Sequence, residues 1–197
     1  MNFGEAKLFY TLSCIGLALI ILLPLFTSVI SLPSEEPFSN LWLLGVNRMI
    51  EQYPFRVAES EPQKVYLGVD NHLSELAYYV VYVKLRNEAE ALPNNAAGLP
   101  SALVPVLEYR FFLADNETWE KEVTFSIEGV SFQRDVCRVS RILIDDISVE
   151  VDKVALQDEK DGGFYYELVF ELWIYNPSVS GFQYHSRFVG IWLNLAS

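Results

Sequence analysis

Between Phe164 and Tyr175 the sequence leaves one backbone conformation open. Phe164, Tyr166, Leu168, Phe170, Leu172 and Ile174 alternate with Tyr165, Glu167, Val169, Glu171, Trp173 and Tyr175. A period of two places successive side chains on opposite faces of an extended strand, whereas a helix of this sequence would have no apolar side to bury. The same period recurs along the chain. Val65, Leu67 and Val69 carry it first, then Tyr79, Val81, Val83 and Leu85, then residues 106–113, then Val123, Phe125 and Ile127. Ile147, Val149 and Val151 continue it, and Val189, Ile191, Leu193 and Leu195 close the series. Short strands in succession, separated by turn-forming residues and almost without helical periodicity, predict an all-β, antiparallel β-sandwich. An immunoglobulin-like topology is the expectation, in the wide sense, since the Cys-Trp-Cys pattern of antibody domains is absent. The core should include Val81, Phe125, Leu168, Phe170 and Ile191.

The connections are read from their turn chemistry. Residues 71–75 join two strands as either a hairpin or a sheet-switching corner, and residues 114–117 read as the turn of a further hairpin. Residues 87–105, rich in Ala, Asn, Gly and Pro, form the longest loop. Residues 131–146 follow neither period, because Val136, Val139, Ile142 and Ile144 are spaced for no single face.

A second feature fixes the address. Residues 8–30 contain no charged side chain, and as a helix they would cover roughly 35 Å, enough to cross a hydrocarbon core of about 30 Å. A secretory signal has an apolar stretch of only about 7 to 15 residues, so this run reads as an uncleaved transmembrane helix. Pro24 would kink its outer third. The flanks orient it. Residues 1–7 form a short cytoplasmic tail carrying Lys7, Glu35 and Glu36 open the other side, and residues 31–40 form a stalk to an extracytoplasmic domain over residues 41–197. Trp42 belongs either near the headgroups or under the first strand.

With Lys7 and Glu5 set aside, the outer part holds 13 basic and 25 acidic side chains, a net charge of −12. Such a surface repels phosphate backbones, which excludes nucleic acid as a partner, and disfavours anionic headgroups. Of the two cysteines, Cys14 lies in the apolar run and Cys137 in the domain, so no disulfide within one copy is expected, and Cys137 reads as a small buried residue.

Candidate sites are few. Asp70, Asn71 and His72 with His185 could be imagined around a metal, but a site needs three or four ligands with outer support, and Asn71 and His72 read better as caps bonding loop backbone. Asp158, Glu159 and Asp161 lack the spacing of a calcium loop, and Gly162-Gly163 makes that segment a turn. No zinc-protease, serine-hydrolase or phosphate-loop motif is present. The expectation is a protein without catalytic activity, cofactor or metal. Asn116-Glu117-Thr118 is a glycosylation sequon on a turn. Tyr165, Trp173, Tyr175, Phe188 and Trp192 fall on the side of their strands away from the core. Solvated sheet faces seldom carry such residues, so these five form the candidate interface, unless the loop over residues 87–105 covers them.

Taken together, Leu43-Leu44-Gly45, Tyr53-Pro54, the run from Val65 to His72, the Tyr-rich strand at 77–83, Asn116 to Glu120, Val123-Thr124-Phe125, Tyr184 to Arg187 and Ile191 to Asn194 resemble an uncharacterised, largely archaeal membrane-protein family, domain of unknown function 1616. The family pattern has an acidic residue after the Asn-His pair, where this chain has Leu73. The resemblance implies a membrane location and an immunoglobulin-like fold, and no activity. The functional expectation is a structural or interaction subunit of a cell-envelope or membrane protein assembly, held to the lipid bilayer by residues 8–30 and bound to protein partners. The alternative is an extracytoplasmic carbohydrate-binding module.

Overall fold

The computed structural model describes residues 4, 7, 10–20, 36–160 and 162–195. The chain divides into an N-terminal unit, Met1–Glu36, and a larger unit, Pro37–Ser197. In the first unit residues 10–20 are helical. Among the described residues no helix is long and apolar enough to cross a membrane. Residues 8, 9 and 21–30 of the expected span, with Pro24, and residues 31–35 of the expected stalk lie outside the described residues.

The larger unit is an all-β sandwich. Its strands are β1 (Phe38–Leu44), β2 (Arg56–Val57), β3 (Gln63–His72), β4 (Ala77–Asn87), β5 (Leu107–Leu113), β6 (Thr118–Gln133), β7 (Val136–Ile144), β8 (Ile147–Leu156), β9 (Phe164–Asn176) and β10 (Gly181–Leu195). One sheet has the order β1-β3-β6-β7-β8 and the other β2-β10-β9-β4-β5. Every pairing is antiparallel except that of the two-residue β2 with β10. The inward faces are the apolar sets of the alternation: Val65, Leu67, Val69, Val123, Phe125 and Ile127 from the first sheet meet Tyr79, Val81, Val83, Leu85 and the even-numbered residues 166–172 of β9. Val81, Phe125, Leu168, Phe170 and Ile191 are all buried. Each such side chain contributes about 1.5–3 kcal/mol through burial.

The first strand starts at Phe38, so the expected stalk gives way to the domain three residues before Leu41. Asn40 is held there by Asp70, which accepts from its backbone N–H at 3.0 Å and its side-chain amide at 3.1 Å. Trp42 lies across Gly68 of β3, where a Cβ would collide with the indole. Residues 47–52, spaced for a short helical turn, do not form one; the chain bends there instead, with Arg48 N–H donating to the Gly45 carbonyl at 2.9 Å.

Two four-residue connections between the sheets are corners. Residues 73–76 take the chain from β3 in the first sheet to β4 in the second, and residues 114–117, expected as a hairpin turn, carry it back from β5 to β6. The reason lies in one residue that precedes the first corner and stands 43 positions before Ala114 in the second. The amide of Asn71, wholly buried, donates to the carbonyls of Glu75 (2.7 Å), Leu113 (3.0 Å) and Ala114 (3.1 Å), while its oxygen accepts from Leu73 N–H (3.1 Å). One side chain thus ties both corners, satisfying carbonyls that turning out of a sheet leaves unpaired.

The ambiguous segment 131–146 comprises the end of β6 and all of β7. In β7 the buried residues are Cys137 and Val139, then Ile142 and Ile144. The phase slips at Ser140, opposite which β8 carries an extra residue and Asp152 sits at φ 46°. A bulge of this kind restarts the alternation one residue late.

Candidate functional site

The five candidate interface aromatics belong to β9 and β10, and the register shows what surrounds them. On the outer face of the second sheet Trp173 pairs with Tyr184, Glu171 with Phe188, Glu167 with Trp192 and Tyr165 with Asn194. On the other side of β9, Val80, Tyr82 and Arg86 of β4 oppose Trp173, Glu171 and Glu167. The face is not uniform. It has a charged, covered middle and an aromatic cluster at each end.

The middle is the least expected part. Lys84 Nζ lies 2.7 Å from Glu171 Oε2, and Arg86 Nε 2.5 Å from Glu167 Oε2, with all four residues buried. Unshielded, such charges would cost several kcal/mol each, so every lone pair and proton needs a partner. The loop between β4 and β5 supplies them. Ser101 donates its backbone N–H (3.2 Å) and its hydroxyl to Glu171, and accepts from Lys84 through Oγ (3.1 Å) and its carbonyl (3.3 Å). The Arg86 guanidinium bonds the carbonyls of Asn87 (3.1 Å) and Glu90. A 3₁₀ turn, Asn95–Ala97, capped by the Asn94 side chain and ended by Gly98 at φ 65°, brings Asn95 to the Tyr184 hydroxyl. The loop is therefore a strap across the sheet. Trp173 is half-buried beside it, its indole N–H on Glu171 (3.3 Å) and its ring edge-on to Tyr82 and Tyr184.

At the end of the face where β4 begins, Tyr78 stacks on Phe112 with centroids 4.2 Å apart and meets Phe182 at 5.0 Å and Tyr175 at 6.1 Å. The Arg110 guanidinium covers Phe182 at 5.1 Å. At the opposite end Trp192, still about one-third exposed, lies under the Arg86 guanidinium at 4.7 Å. Tyr165 is its diagonal neighbour on β9, meets Phe55 at 6.1 Å, and accepts from the Asn194 amide at 3.4 Å. A cleft of about 290 Å³ runs beside Tyr165, bounded by Asn87, Glu88, Val154 and Leu156. Phe188 lines a separate apolar groove with Trp42, Leu44, Ile50 and Tyr53.

The structure thus keeps Tyr165 and Trp192 together and sends Tyr175 to the far end, Trp173 to the strap and Phe188 to the β1 side. Phe55, Tyr78, Phe112 and Phe182 complete the clusters and were not in the expected set. The outward register of Tyr78 was readable from β4, but its partners depend on which strands pair.

The remaining candidates fall into two networks. His72 contacts Asn116 Oδ1 through Nδ1 (2.9 Å) and Asp70 Oδ2 through Nε2 (3.4 Å), with the Phe38 ring tilted against it at 4.7 Å. Its bonds are to side chains, so of the expected pair of backbone caps only Asn71 serves. The hydrogen bond to Asn116 and the nearby Asp70 carboxylate push the His72 pKa up. Asn116, exposed at φ 61°, also donates to Asp115 (2.8 Å). His185 lies elsewhere. Its Nε2 is 3.1 Å from Ser39 Oγ, which is 2.6 Å from the Tyr79 hydroxyl, which in turn donates to Asn71 (3.0 Å). Burial, then the Arg187 charge, pushes the His185 pKa down. This chain joins β1 and β3 to β4 and β10, a polar bolt through the sandwich. Among the described residues no group of three His, Cys, Asp or Glu is arranged to hold a metal. Asp158 Oδ1 accepts from Lys160 N–H (2.8 Å) within its turn, and Asp161 lies outside the described residues. Cys137 is buried and free.

The family model of the domain of unknown function DUF1616 matches residues 32–155, from before β1 to the end of β8. The chain belongs to the DUF1616 family. No curated protein matches it. Among solved structures, the β-glucosidase from Listeria innocua in complex with gluconolactone aligns at 8% identity and TM-score 0.41, over 82% of this DUF1616 chain and 16% of the glucosidase. The isofagomine complex of that enzyme gives 10% and 0.39 over the same shares. The PmoD soluble domain from Methylocystis sp. aligns at 7% identity and TM-score 0.26, over 81% of this chain and 92% of its own. The chain thus spans about a sixth of the glucosidase.

Proposed function

We propose that this DUF1616 protein is a single-pass, membrane-anchored subunit whose extracytoplasmic domain binds a protein partner in the cell envelope, without catalysis, through the Tyr165 and Trp192 end of its second sheet. The observation that carries the reading is that cluster: a tryptophan and a tyrosine on adjacent strands, joined by Phe55 and by Leu156, which is 70% exposed. Interface cores favour Trp, Tyr and Arg, and Arg86 is already laid on Trp192. The uncharged run over residues 8–30 supports the anchor, and the excess of carboxylates supports an outer, wet location. Strand orders β1-β3-β6 and β10-β9-β4-β5 support an immunoglobulin-like topology, matching A-B-E against G-F-C-C′ with the β7–β8 hairpin added beside E. Asn116, exposed on a corner, is proposed as a glycan acceptor.

A carbohydrate ligand is the second reading, because the cleft beside Tyr165 offers a ring with Asn87 and Glu88. It is the weaker one. The Asn87 amide already donates to Val154 and accepts from Ala89 and Glu90, leaving Glu88 alone to recognise hydroxyls.

The test is cross-linking in native membranes followed by purification in mild detergent. The full chain should retain a defined partner, and Tyr165→Ser with Trp192→Ser should release it, a pair of hot-spot losses of about 2 kcal/mol or more each, while the thermal transition persists. Retention by the double variant, or glycan binding without any protein partner, would sink the proposal.

A further inference from the structure

The other aromatic cluster lies at the end of the sandwich where the chain enters. Phe38 opens β1 there and pairs with His72, and the same end carries both corners and the β9–β10 turn. Its apolar tips are unusually bare: Leu76 is 67% exposed, Phe112 61%, Val179 57% and Tyr175 37%. Tyr78 and Phe182 back them with aromatic surface, and the Arg110 charge sits over the Phe182 ring. These side chains come from four different segments, so the patch is a product of the fold and not of one sticky stretch.

Six residues, 31–36, separate the end of the uncharged run at Ile30 from Pro37. Fully extended, that connection reaches about 25 Å, and a headgroup layer is roughly 5–8 Å deep. A body tethered so closely holds its entry end at the lipid surface at high effective concentration, whatever its partners. Aromatic rings with polar tips, mixed with aliphatic side chains and a long cation, are what settles at that interface. We infer that this end of the sandwich rests in the outer headgroup layer of the bilayer, with Leu76, Phe112, Tyr175 and Val179 as the lipid-contacting tips. The carboxylates beside them are partly occupied within the corners. Asp115 Oδ1 accepts from Ser74 N–H at 2.8 Å and Glu117 Oε2 from Ala114 N–H at 2.7 Å. The negative domain makes uncharged lipid the matching surface. This inference rests on the anchor proposed above.

Nitroxide side chains test it in the full chain reconstituted into phosphatidylcholine vesicles. They are placed at native Cys14, at Leu76→Cys and at Leu156→Cys, the latter two with Cys14→Ser; Cys137 is buried and escapes labelling. Collision with oxygen reports lipid, and collision with a water-soluble nickel chelate reports solvent. Position 76 should collide with the chelate several-fold less than position 156 and retain oxygen access. If position 76 matches position 156 while Cys14 reads as lipid-embedded, the docking is wrong and the anchor stands. If Cys14 also reads as solvated, the anchor fails and the inference with it. Position 76 shielded from both probes in native membranes but solvated in pure lipid would assign the patch to a protein and overturn the inference.

Discussion

His185 shows how one side chain can set a pH response. Burial depresses its pKa in the folded state below the usual value near 6.5. As the pH falls through that value the unfolded chain takes up a proton that the native bolt resists, so this residue's contribution to stability is present above about pH 6.5 and lost below it. His72 has the opposite sign, since its folded pKa is raised; its contribution is present in acid and lost as the pH rises through the shifted value. The two partly cancel in the native protein. Thermal melts of His185→Gln and of His72→Gln across pH 5 to 8 should therefore diverge, the first losing the acid destabilisation and the second deepening it. Parallel curves for both variants would show that neither histidine carries the response. Asn71, at the far end of the bolt from His185, was legible in the sequence as a cap, but that it closes two corners was not. That depends on Leu113 and Ala114, which only the folded sheet pairing brings to it.

Elements were legible where their period was unbroken. β9 keeps one phase over thirteen residues and was readable from Phe164 to Tyr175, one residue short of its end at Asn176. The β6–β7 hairpin was not, because a bulge resets the phase, and a one-residue offset mimics neither strand nor helix. Gly129 marks the place. It sits at φ 61°, its carbonyl accepts from Ser140 Oγ at 3.1 Å, and a Cβ there would collide with that hydroxyl. Gly129→Ala should cost about 1–3 kcal/mol from left-handed backbone and overpacking together. In urea unfolding Ser140→Ala should recover part of the loss in the double variant, because it removes the collision and leaves the φ cost. Strict additivity would show that the two residues do not meet. The turn at 114–117 failed for another reason: an alanine followed by three polar residues suits a hairpin and a corner equally, and the choice is made by the partners of β5 and β6, not by the turn itself. The strap over the charged middle of β9 was visible only as the alternative to an open aromatic face, since no local signal in residues 87–105 says that Ser101 will meet Glu171.

At the scale of the whole molecule the sandwich behaves as one cooperative body, since a single hydrophobic cluster draws residues from all ten strands. Phe170, wholly buried at its centre, should report on all of it: Phe170→Ala is expected to cost about 3–5 kcal/mol with an unchanged urea dependence, whereas a broadened or two-step transition would mean the sheets unfold apart. The bolt between Ser39 and His185 has one more consequence, for the order of events in the cell. It joins residues 146 positions apart, the first strand to the last. At about 5–20 residues per second, ribosomes need on the order of ten seconds to make that stretch. Throughout that interval β1 and β3 exist without the strand that completes the opposite sheet, and their unpaired edges and apolar faces stay open. Sealing of this domain therefore waits until β10 has been made, and a newborn chain spends its first seconds dependent on whatever shields such edges from one another.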